Sequence, residues 1–216
     1  MGAFVVLEGP EGAGKTSQAR ALAAGLREAG YPTVLTREPG GTELGKLIRD
    51  IVLPSASVSI SPRSEVLLYN ASRAQLVEDV VRPALERGQV VVPDRYGYST
   101  IAYQGYGRGL DVEKVALVVS FATNGLEPDL CILLDISPED GLARKCGALE
   151  EWNRFEQEEM EFHRRVRGGY LRIAQADPDR WLVLDGSLPF EMLQDRIIQE
   201  VSGLLDRKRV PRRPLR

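Results

Sequence analysis

A glycine-rich segment near the start of the sequence constrains the fold more than any other feature. The eight residues Gly9 to Thr16, GPEGAGKT, match the pattern G-x-x-x-x-G-K-[ST]. They follow a short apolar run, Phe4–Leu7, and precede a helical pattern over Thr16–Ala29. Glycines in such a loop let backbone N–H groups turn inward on phosphate oxygens, and the helix N-terminus adds partial positive charge. The sequence therefore predicts a strand, a phosphate-binding loop and a helix that together hold a polyphosphate.

Short apolar runs predict the strands of a sheet. They contain few polar residues, as is typical of strands that are covered on both faces in a parallel sheet. The predicted strands are Phe4–Leu7, Thr33–Thr36, Val90–Pro93, Leu130–Asp135 and Trp181–Leu184. Helical patterns alternate with them: one helix begins at Ser61-Pro62, ends near Gly88 and is kinked by Pro83, and another begins at Ser137-Pro138. This alternation indicates a doubly wound α/β fold.

Length and composition narrow the class of protein. The 216 residues fit one domain, which we place at residues 1–206, and a basic tail at 207–216 that we expect to be disordered. The formal net charge of −3 argues against general nucleic-acid binding. Two distant cysteines, Cys131 and Cys146, fit a reducing cytosol, and no apolar segment approaches the ~20 residues that cross a bilayer. We therefore expect a cytoplasmic protein that binds neither membrane nor nucleic acid.

The residues that follow the predicted strands indicate which class of phosphate-binding protein this is. The sequence contains no Asn/Thr-Lys-x-Asp element, which argues against a GTPase, and no aliphatic strand that ends in Asp-Glu, which argues against a mechanical ATPase. One predicted strand ends instead in Asp94-Arg95. That pair can place a carboxylate that orients a metal beside a guanidinium that binds phosphate. It predicts an enzyme with two phosphate ligands in one cleft.

Three segments predict a site for the second anion. Arg37, in the segment from Thr36 to Thr42, follows the second strand at the edge where α/β sheets bind ligands. Tyr69 and Arg73 lie four residues apart and share one face of a helix, so they could stack on and hydrogen-bond to one flat base. The alternative for that pair is a partly buried ring with an exposed arginine stem packed on it. The third segment, Asp94 to Gly105, is rich in hydroxyls and aromatic rings.

With these segments together, the sequence resembles the bacterial thymidylate kinases. The matching elements are the loop with its acidic Glu11, the segment Arg37-Glu38-Pro39-Gly40-Gly41-Thr42, the Arg73 helix, Asp94-Arg95-Tyr96 with Ser99 and Ala102-Tyr103-Gln104-Gly105, and Arg154-Phe155-Glu156. The resemblance implies the three-layer P-loop kinase fold, in which a central parallel five-stranded sheet is flanked by helices and a mobile lid. It also implies that the γ-phosphate of ATP is transferred to the 5′-phosphate of thymidine monophosphate (dTMP), with Mg²⁺, in a homodimeric enzyme of dTTP biosynthesis.

The resemblance also implies the roles of individual residues. The residues implied to bind ATP are Gly9, Pro10, Glu11, Gly12, Ala13, Gly14, Lys15, Thr16, Ser17 and Arg144. Those implied to bind dTMP are Glu11, Arg37, Pro39, Tyr69, Arg73, Arg95, Ser99, Tyr103 and Gln104. Those implied in catalysis are Lys15, Arg95, Asp94, Glu11 and Arg154, and those implied at the metal are Thr16 and Asp94.

Within the dTMP set, the resemblance implies that Arg37 and Arg95 hold the acceptor phosphate. It implies that Tyr69 stacks on thymine, while Arg73 and Gln104 read the polar edge of the base. Further along the nucleotide, Tyr103 is implied to crowd the 2′ position of the sugar. Glu11 is implied to lie near the 3′-hydroxyl and to orient Arg95.

The lid departs from the family pattern. Members of the family carry an arginine either in the phosphate-binding loop or in a basic lid, and position 12 here is glycine. The lid, which we place at about residues 141–156, should therefore supply it. Arg144 is expected to stack on adenine and Arg154 to balance charge in the transition state, although Asn153 stands where the family usually has Asp. Two alternatives remain: a related kinase with another small acceptor, and a nucleotide-binding regulator that no longer transfers phosphate.

Overall fold

A five-stranded parallel sheet forms the centre of the protein. The structure, a computed structural model, describes residues 2–53, 59–147, 155–156 and 158–212. The strands are β1 (Ala3–Glu8), β2 (Thr33–Arg37), β3 (Val90–Asp94), β4 (Leu130–Asp135) and β5 (Trp181–Asp185). Their order across the sheet is β2-β3-β1-β4-β5, and every neighbouring pair is parallel. The predicted strands and the predicted fold class are confirmed, and the observed strands extend the predictions by at most one residue at either end.

Helices cover both faces of this sheet. The helices are α1 (Lys15–Glu28), α2 (Glu43–Val52), α3 (Pro62–Leu76), α4 (Arg82–Glu86), α5 (Gly97–Thr100), α6 (Val112–Thr123), α7 (Pro138–Gly147), α8 (Met160–Ala176) and α9 (Phe190–Lys208). Two segments are π-helical, Val77–Val81 and Ile101–Gly107. The first continues α3 into α4 just before Pro83, the residue expected to disturb this helix, because proline has no N–H to donate within a helix.

Strand side chains alternate between two apolar cores. Val5 and Leu7 of β1 lie in the core that α1 and α9 cover, together with Leu22 and Ile197. Val6 lies in the opposite core, which includes side chains of α3, the first π-helical segment and α8. The layers are therefore helix, sheet and helix. Because the strands are parallel, all five carboxyl ends meet at one edge, where each strand ends in a charged residue.

The end of the chain contacts the body of the protein. α9 continues to Lys208, Val210 is buried in the core beside α1, and Arg212 Nε donates a hydrogen bond to the Tyr31 hydroxyl at 2.8 Å. Residues 213–216 of the expected tail lie outside the described residues. Among the described helices, none is both long and apolar enough to cross a membrane.

Candidate active site

The phosphate-binding loop joins β1 to α1, as the sequence predicts. Gly14 caps α1 in a left-handed conformation, with φ 86°, and Lys15 is the first residue of the helix. Lys15 Nζ donates a hydrogen bond to the Pro10 carbonyl oxygen at 2.6 Å. Burial and the nearby Arg95 lower the pKa of Lys15 to about 8, against the opposing effect of Glu11. The lysine is therefore held over the loop, where a phosphate would meet it.

Gly12 lies against α7, the helix at the start of the expected lid. Its φ is 70°, and a Cβ at this position would overlap the backbone carbonyl of Gly141 in α7. A Cβ on Gly141 would in turn overlap the carbonyl oxygen of Glu11. Loop and helix thus pack backbone to backbone. This contact gives a physical reason why position 12 carries no arginine in this chain.

Two oxygen ligands lie together at the mouth of the loop. The Thr16 hydroxyl, at the start of α1, donates a short hydrogen bond to Asp94 Oδ2 at the end of β3. A hydroxyl and a carboxylate are the hard oxygen ligands that Mg²⁺ prefers, and Mg²⁺ in kinases takes only one or two protein ligands beside phosphate and water. Over the described ranges, no cluster of three or more His, Cys, Asp or Glu side chains could hold a metal by itself. The donor set therefore fits Mg²⁺ bound with a nucleotide.

Arg95 forms the centre of a polar cluster beside the loop. Its backbone is left-handed, with φ 75°. Nη2 donates to Glu11 Oε1 at 2.9 Å and to the Tyr103 hydroxyl at 3.0 Å, and that hydroxyl donates to the same carboxylate at 2.9 Å. Nη1 donates to the Gly9 carbonyl at 3.0 Å and also contacts two further hydroxyls, those of Ser99 and Tyr170. Glu11 is thus in direct contact with Arg95, the residue that the resemblance implies it orients.

Burial and charge act in opposite directions in this cluster. Burial raises the pKa of Glu11, but Arg95 and Lys15 outweigh it and hold that pKa at about 2. Burial likewise lowers the pKa of Arg95, and the groups around it, Tyr103 and Glu11 foremost, raise it above its ordinary value. Burial also raises the pKa of Tyr103 well above its usual range, so its hydroxyl keeps its proton. The cluster is an ion pair with fixed donors at neutral pH.

Two further arginines line the entrance from α2 and β2. Arg37, the last residue of β2, is exposed, and no described residue accepts a hydrogen bond from its guanidinium. Arg49 of α2 donates from Nη1 to the Pro39 carbonyl at 3.1 Å. Burial lowers the pKa of Arg49, and Arg37 and Arg95 lower it further because they are nearby cations. Together with Arg95, they give the cleft three arginines in addition to the loop lysine.

Arg73 is buried, and its guanidinium donates hydrogen bonds to four neighbouring residues. It is 1% exposed and makes hydrogen bonds to Glu38 at 2.8 Å, Asn70 at 2.6 Å, the Tyr96 carbonyl at 3.1 Å and Thr100 at 3.1 Å. Burial raises the pKa of Glu38 to about 7, although Arg73 opposes this shift. The alternative interpretation of the Tyr69 and Arg73 pair, an exposed arginine stem on a ring, is therefore wrong.

A buried carboxylate also binds the side chain of Gln104, as Glu38 binds that of Arg73. Its amide nitrogen donates to Glu65 Oε2 at 3.1 Å, and Arg108 makes an ion pair with the same carboxylate at 3.2 Å. Gln104 lies in the second π-helical segment, a structure that is frequent at functional sites. Glu65 thus fixes the direction of the Gln104 amide.

Only part of the expected lid is described. Arg144 of α7 donates to the backbone carbonyls of Gly186 at 2.6 Å and Ser187 at 3.1 Å, in the loop after β5. Phe155 is buried, with its ring 5.5 Å from that of Tyr103, and Lys145 forms an ion pair with Glu156. The predicted catalytic Arg154 lies outside the described residues, as do Trp152 and Asn153.

One cleft of about 540 Å³ collects most of these groups. The predicted site residues that line it are Glu11, Gly12, Gly14, Lys15, Thr16, Ser17, Arg37, Pro39, Tyr69, Arg73, Asp94, Arg95, Ser99, Tyr103, Gln104 and Arg144. Gly9 and Pro10 contribute backbone carbonyls to Arg95 and Lys15, whereas Ala13 is buried in the core. Lys145 and Phe155 of the expected lid also line the cleft, as do Arg20 and Arg49, for which the sequence predicts no role at this site.

Comparisons with known proteins agree with one another. Residues 7–197 match the family model "Thymidylate kinase". The thymidylate kinase of Thermomicrobium roseum is 52% identical over 95% of this chain and 97% of its own length, and that of Roseiflexus castenholzii is 48% identical over 95% of both. The crystal structure of thymidylate kinase from Ehrlichia chaffeensis superposes with a TM-score of 0.77 at 30% identity, and covers 93% of this chain and 98% of that one.

Proposed function

This chain belongs to the thymidylate kinase family, and we propose that it transfers the γ-phosphoryl group of ATP to the 5′-phosphate of dTMP, which gives ADP and thymidine diphosphate. One observation carries the proposal: Lys15 over the phosphate-binding loop and the cations Arg37 and Arg95 line the same cleft. A single phosphate would need only the lysine or only the arginines. Two groups of cations in one cleft fit a reaction between two anions.

The chemistry requires little beyond placement and charge. A phosphate monoester is largely dianionic at neutral pH because its second pKa is near 6, so the attacking oxygen needs no general base. Repulsion between donor and acceptor is the obstacle, and positioned positive charge removes it. Lys15, Arg37 and Arg95 supply that charge from this chain.

At the donor end, the loop N–H groups and Lys15 hold the β- and γ-phosphates of ATP. Thr16 and Asp94 would hold Mg²⁺, which neutralises phosphate charge when it is bound. Arg144, fixed by the loop after β5, contacts adenine. We assign the balancing of transition-state charge to Arg154, as the family resemblance implies.

At the acceptor end, Arg37 and Arg95 bind the phosphate of dTMP and Tyr69 stacks on its base. Arg73 and Gln104 read the base, and the carboxylates behind them, Glu38 and Glu65, support this role because they fix the direction of both side chains.

Between base and phosphate, Tyr103 limits the space at the 2′ position of the sugar. Its hydroxyl is held by Glu11 and Arg95, which supports this assignment because the ring cannot turn away freely. Glu11 lies near the 3′-hydroxyl. Pro39 and Ser99 complete the wall of the cleft.

We propose that the enzyme is a homodimer. α2, α3 and α6 pack side by side and expose large apolar side chains, Leu47 at 63%, Leu67 at 62%, Leu117 at 70% and Phe121 at 89%. Such a contiguous apolar surface is typical of an interface between chains. We also propose that the dimer is cytoplasmic, in keeping with its two free cysteines, and that it binds neither nucleic acid nor membrane.

A coupled assay with ATP, Mg²⁺ and dTMP tests the function. Equimolar ADP and thymidine diphosphate are expected. A monophosphate that is a better acceptor than dTMP would favour the related-kinase alternative. Deoxyuridylate should be only a modestly worse acceptor than dTMP, because the one methyl group that it lacks contributes ~1–3 kcal/mol. Tight binding of both nucleotides without product would favour the regulator.

A further inference from the structure

Glu8, the last residue of β1, carries a carboxylate with no role in the family resemblance. It is completely buried, directly before the phosphate-binding loop. Oε1 accepts hydrogen bonds from the backbone N–H groups of Tyr96 at 2.9 Å and Ser99 at 3.2 Å. Oε2 accepts from the Ser99 hydroxyl at 2.6 Å and the Tyr170 hydroxyl at 2.8 Å. Burial raises the pKa of Glu8, while Arg95 and these hydrogen bonds oppose the shift. The four donors make both carboxyl oxygens acceptors.

The same two hydroxyls contact Arg95. Arg95 Nη1 lies 3.2 Å from Ser99 Oγ and 3.1 Å from the Tyr170 hydroxyl oxygen. The two hydroxyl oxygens are 2.8 Å apart, so they form a triangle with Glu8 Oε2. The triangle has three edges but only two hydroxyl hydrogens, one from each residue. Both hydrogens are therefore used inside it, and both oxygens turn lone pairs outward to Arg95.

Glu8 also fixes the backbone beside Arg95. Arg95 has φ 75°, a left-handed conformation that a residue with a side chain adopts only where its surroundings hold it. The Arg95 N–H donates to the Leu7 carbonyl at 2.9 Å, and the next N–H, that of Tyr96, donates to Glu8. The end of β1 thus holds Arg95 through its main chain on one side and through hydroxyls on the other.

We infer that Glu8 is a positioning residue for the acceptor site: its carboxylate orients the hydroxyls of Ser99 and Tyr170 so that they hold the Arg95 guanidinium in place for the acceptor phosphate. The inference rests on the proposed function, because Arg95 acts on that phosphate. Glu8 itself touches neither substrate. It acts as a hydrogen-bond acceptor that sets the direction of two neighbouring hydrogen bonds.

The substitution Glu8→Gln separates this role from simple packing. An amide nitrogen at the Oε2 position brings two hydrogens into the triangle, so four hydrogens compete for three edges and one hydroxyl hydrogen must turn toward the Arg95 N–H. The opposite amide orientation sets its NH₂ against the N–H groups of Tyr96 and Ser99. Gln is nearly the same size as Glu, so packing is preserved while the direction of the hydrogen bonds is not.

Steady-state kinetics of the full chain provides the test. Glu8→Gln is expected to raise KM for dTMP at least about 10-fold, the effect of losing one hydrogen bond to a charged group. KM for ATP should stay within about twofold, because Arg95 does not hold ATP. In an Arg95→Lys background, Glu8→Gln should change KM for dTMP by less than about twofold, since the group that it positions is gone. The control is Glu127→Gln. The Glu127 carboxylate forms an ion pair with Arg180 at 3.0 Å and does not line the cleft, so this substitution should change neither KM.

Several results would overturn the inference. They are an unchanged KM for dTMP in Glu8→Gln, an equal rise of both KM values, or an effect that persists in the Arg95→Lys background. Should Glu8→Gln fail to fold, Tyr170→Phe removes one corner of the triangle and should raise KM for dTMP alone; no change there would also overturn it. A crystal structure of Glu8→Gln gives a readout without turnover: Arg95 Nη1 is expected more than about 3.5 Å from at least one of the two hydroxyls. Failure of the proposed function would instead appear as a wild-type protein that forms no ADP with dTMP.

Discussion

The backbone contact between Gly12 and Gly141 predicts that a single methyl group on Gly12 will separate the phosphate-binding loop from α7. Gly12 has φ 70°, and its Cβ would overlap the Gly141 carbonyl. Gly109 has nearly the same φ, 72°, but a Cβ there would meet nothing within 4 Å. Gly109→Ala therefore measures the backbone strain alone, whereas Gly12→Ala measures the strain and the contact.

The expected magnitudes follow from these two terms. The left-handed conformation costs an alanine ~1–2 kcal/mol, and forcing an extra carbon into a packed contact costs a further ~1–3 kcal/mol. In a protein of this size 1 kcal/mol shifts the unfolding midpoint by ~2–4 °C. Gly109→Ala should lower Tm by ~2–8 °C, and Gly12→Ala by ~2–12 °C more.

Thermal unfolding of the ligand-free protein checks both values, and Gly141→Ala adds a test of sign. Alanine normally stabilises a helix over glycine by ~1 kcal/mol, but a Cβ at Gly141 would overlap the Glu11 carbonyl, so Tm should fall. Gly12→Ala should also raise KM for ATP, because α7 carries Arg144 and must move away. Equal Tm losses in Gly12→Ala and Gly109→Ala, or a stabilised Gly141→Ala, would refute the close contact.

Four further outcomes are expected. Lys15→Ala should lower kcat ~10²–10³-fold with Tm nearly unchanged, since it removes one preorganised charge. Tyr103→Ala should relax discrimination against the ribonucleotide, measured as the ratio of kcat/KM values; an unchanged ratio would show that the ring does not limit the 2′ position. The pKa of Glu38 is about 7 in the native state, above its ordinary 4.5, so between these pH values the native state binds more protons than the unfolded state. The free energy of unfolding should therefore fall by up to ~3 kcal/mol as pH rises through this range. Denaturation of Glu38→Gln at several pH values should show no such fall. Phe121→Glu should halve the mass found by light scattering if α6 lies in the dimer interface, with kcat/KM as the control for folding.

The sequence predicts the framework of the site because its signals are local. The phosphate-binding loop lies within eight residues, and Asp94-Arg95 directly follows an apolar run that ends at the sheet edge. Parallel strands bring such ends together without any further information. The spacing of Tyr69 and Arg73 alone predicts that they share one helix face.

The supporting residues could not be predicted in the same way. Glu8 follows the first apolar run and looks like an ordinary strand end; its role depends on Tyr170, 162 residues away. Arg49 belongs to a helix that looks amphipathic and solvated, and it enters the cleft only because α2 packs beside Pro39. The one available signal was a charged residue between an apolar strand and the glycine loop, which marks Glu8 as a candidate for burial with partners.

Three of the polar groups at the loop end of the ligand-free cleft already have a partner within the protein. Lys15 binds the Pro10 carbonyl, the Thr16 hydroxyl binds Asp94, and Arg95 pairs with Glu11. Buried cations without such partners would be unfavourable, so these contacts keep the side chains in place until phosphate oxygens arrive. Substrate binding is then an exchange of partners, and its free energy is a difference between two sets of contacts. A substitution that weakens an internal partner therefore has two opposing effects: it releases the cation for phosphate, and it removes the geometry that aims the cation.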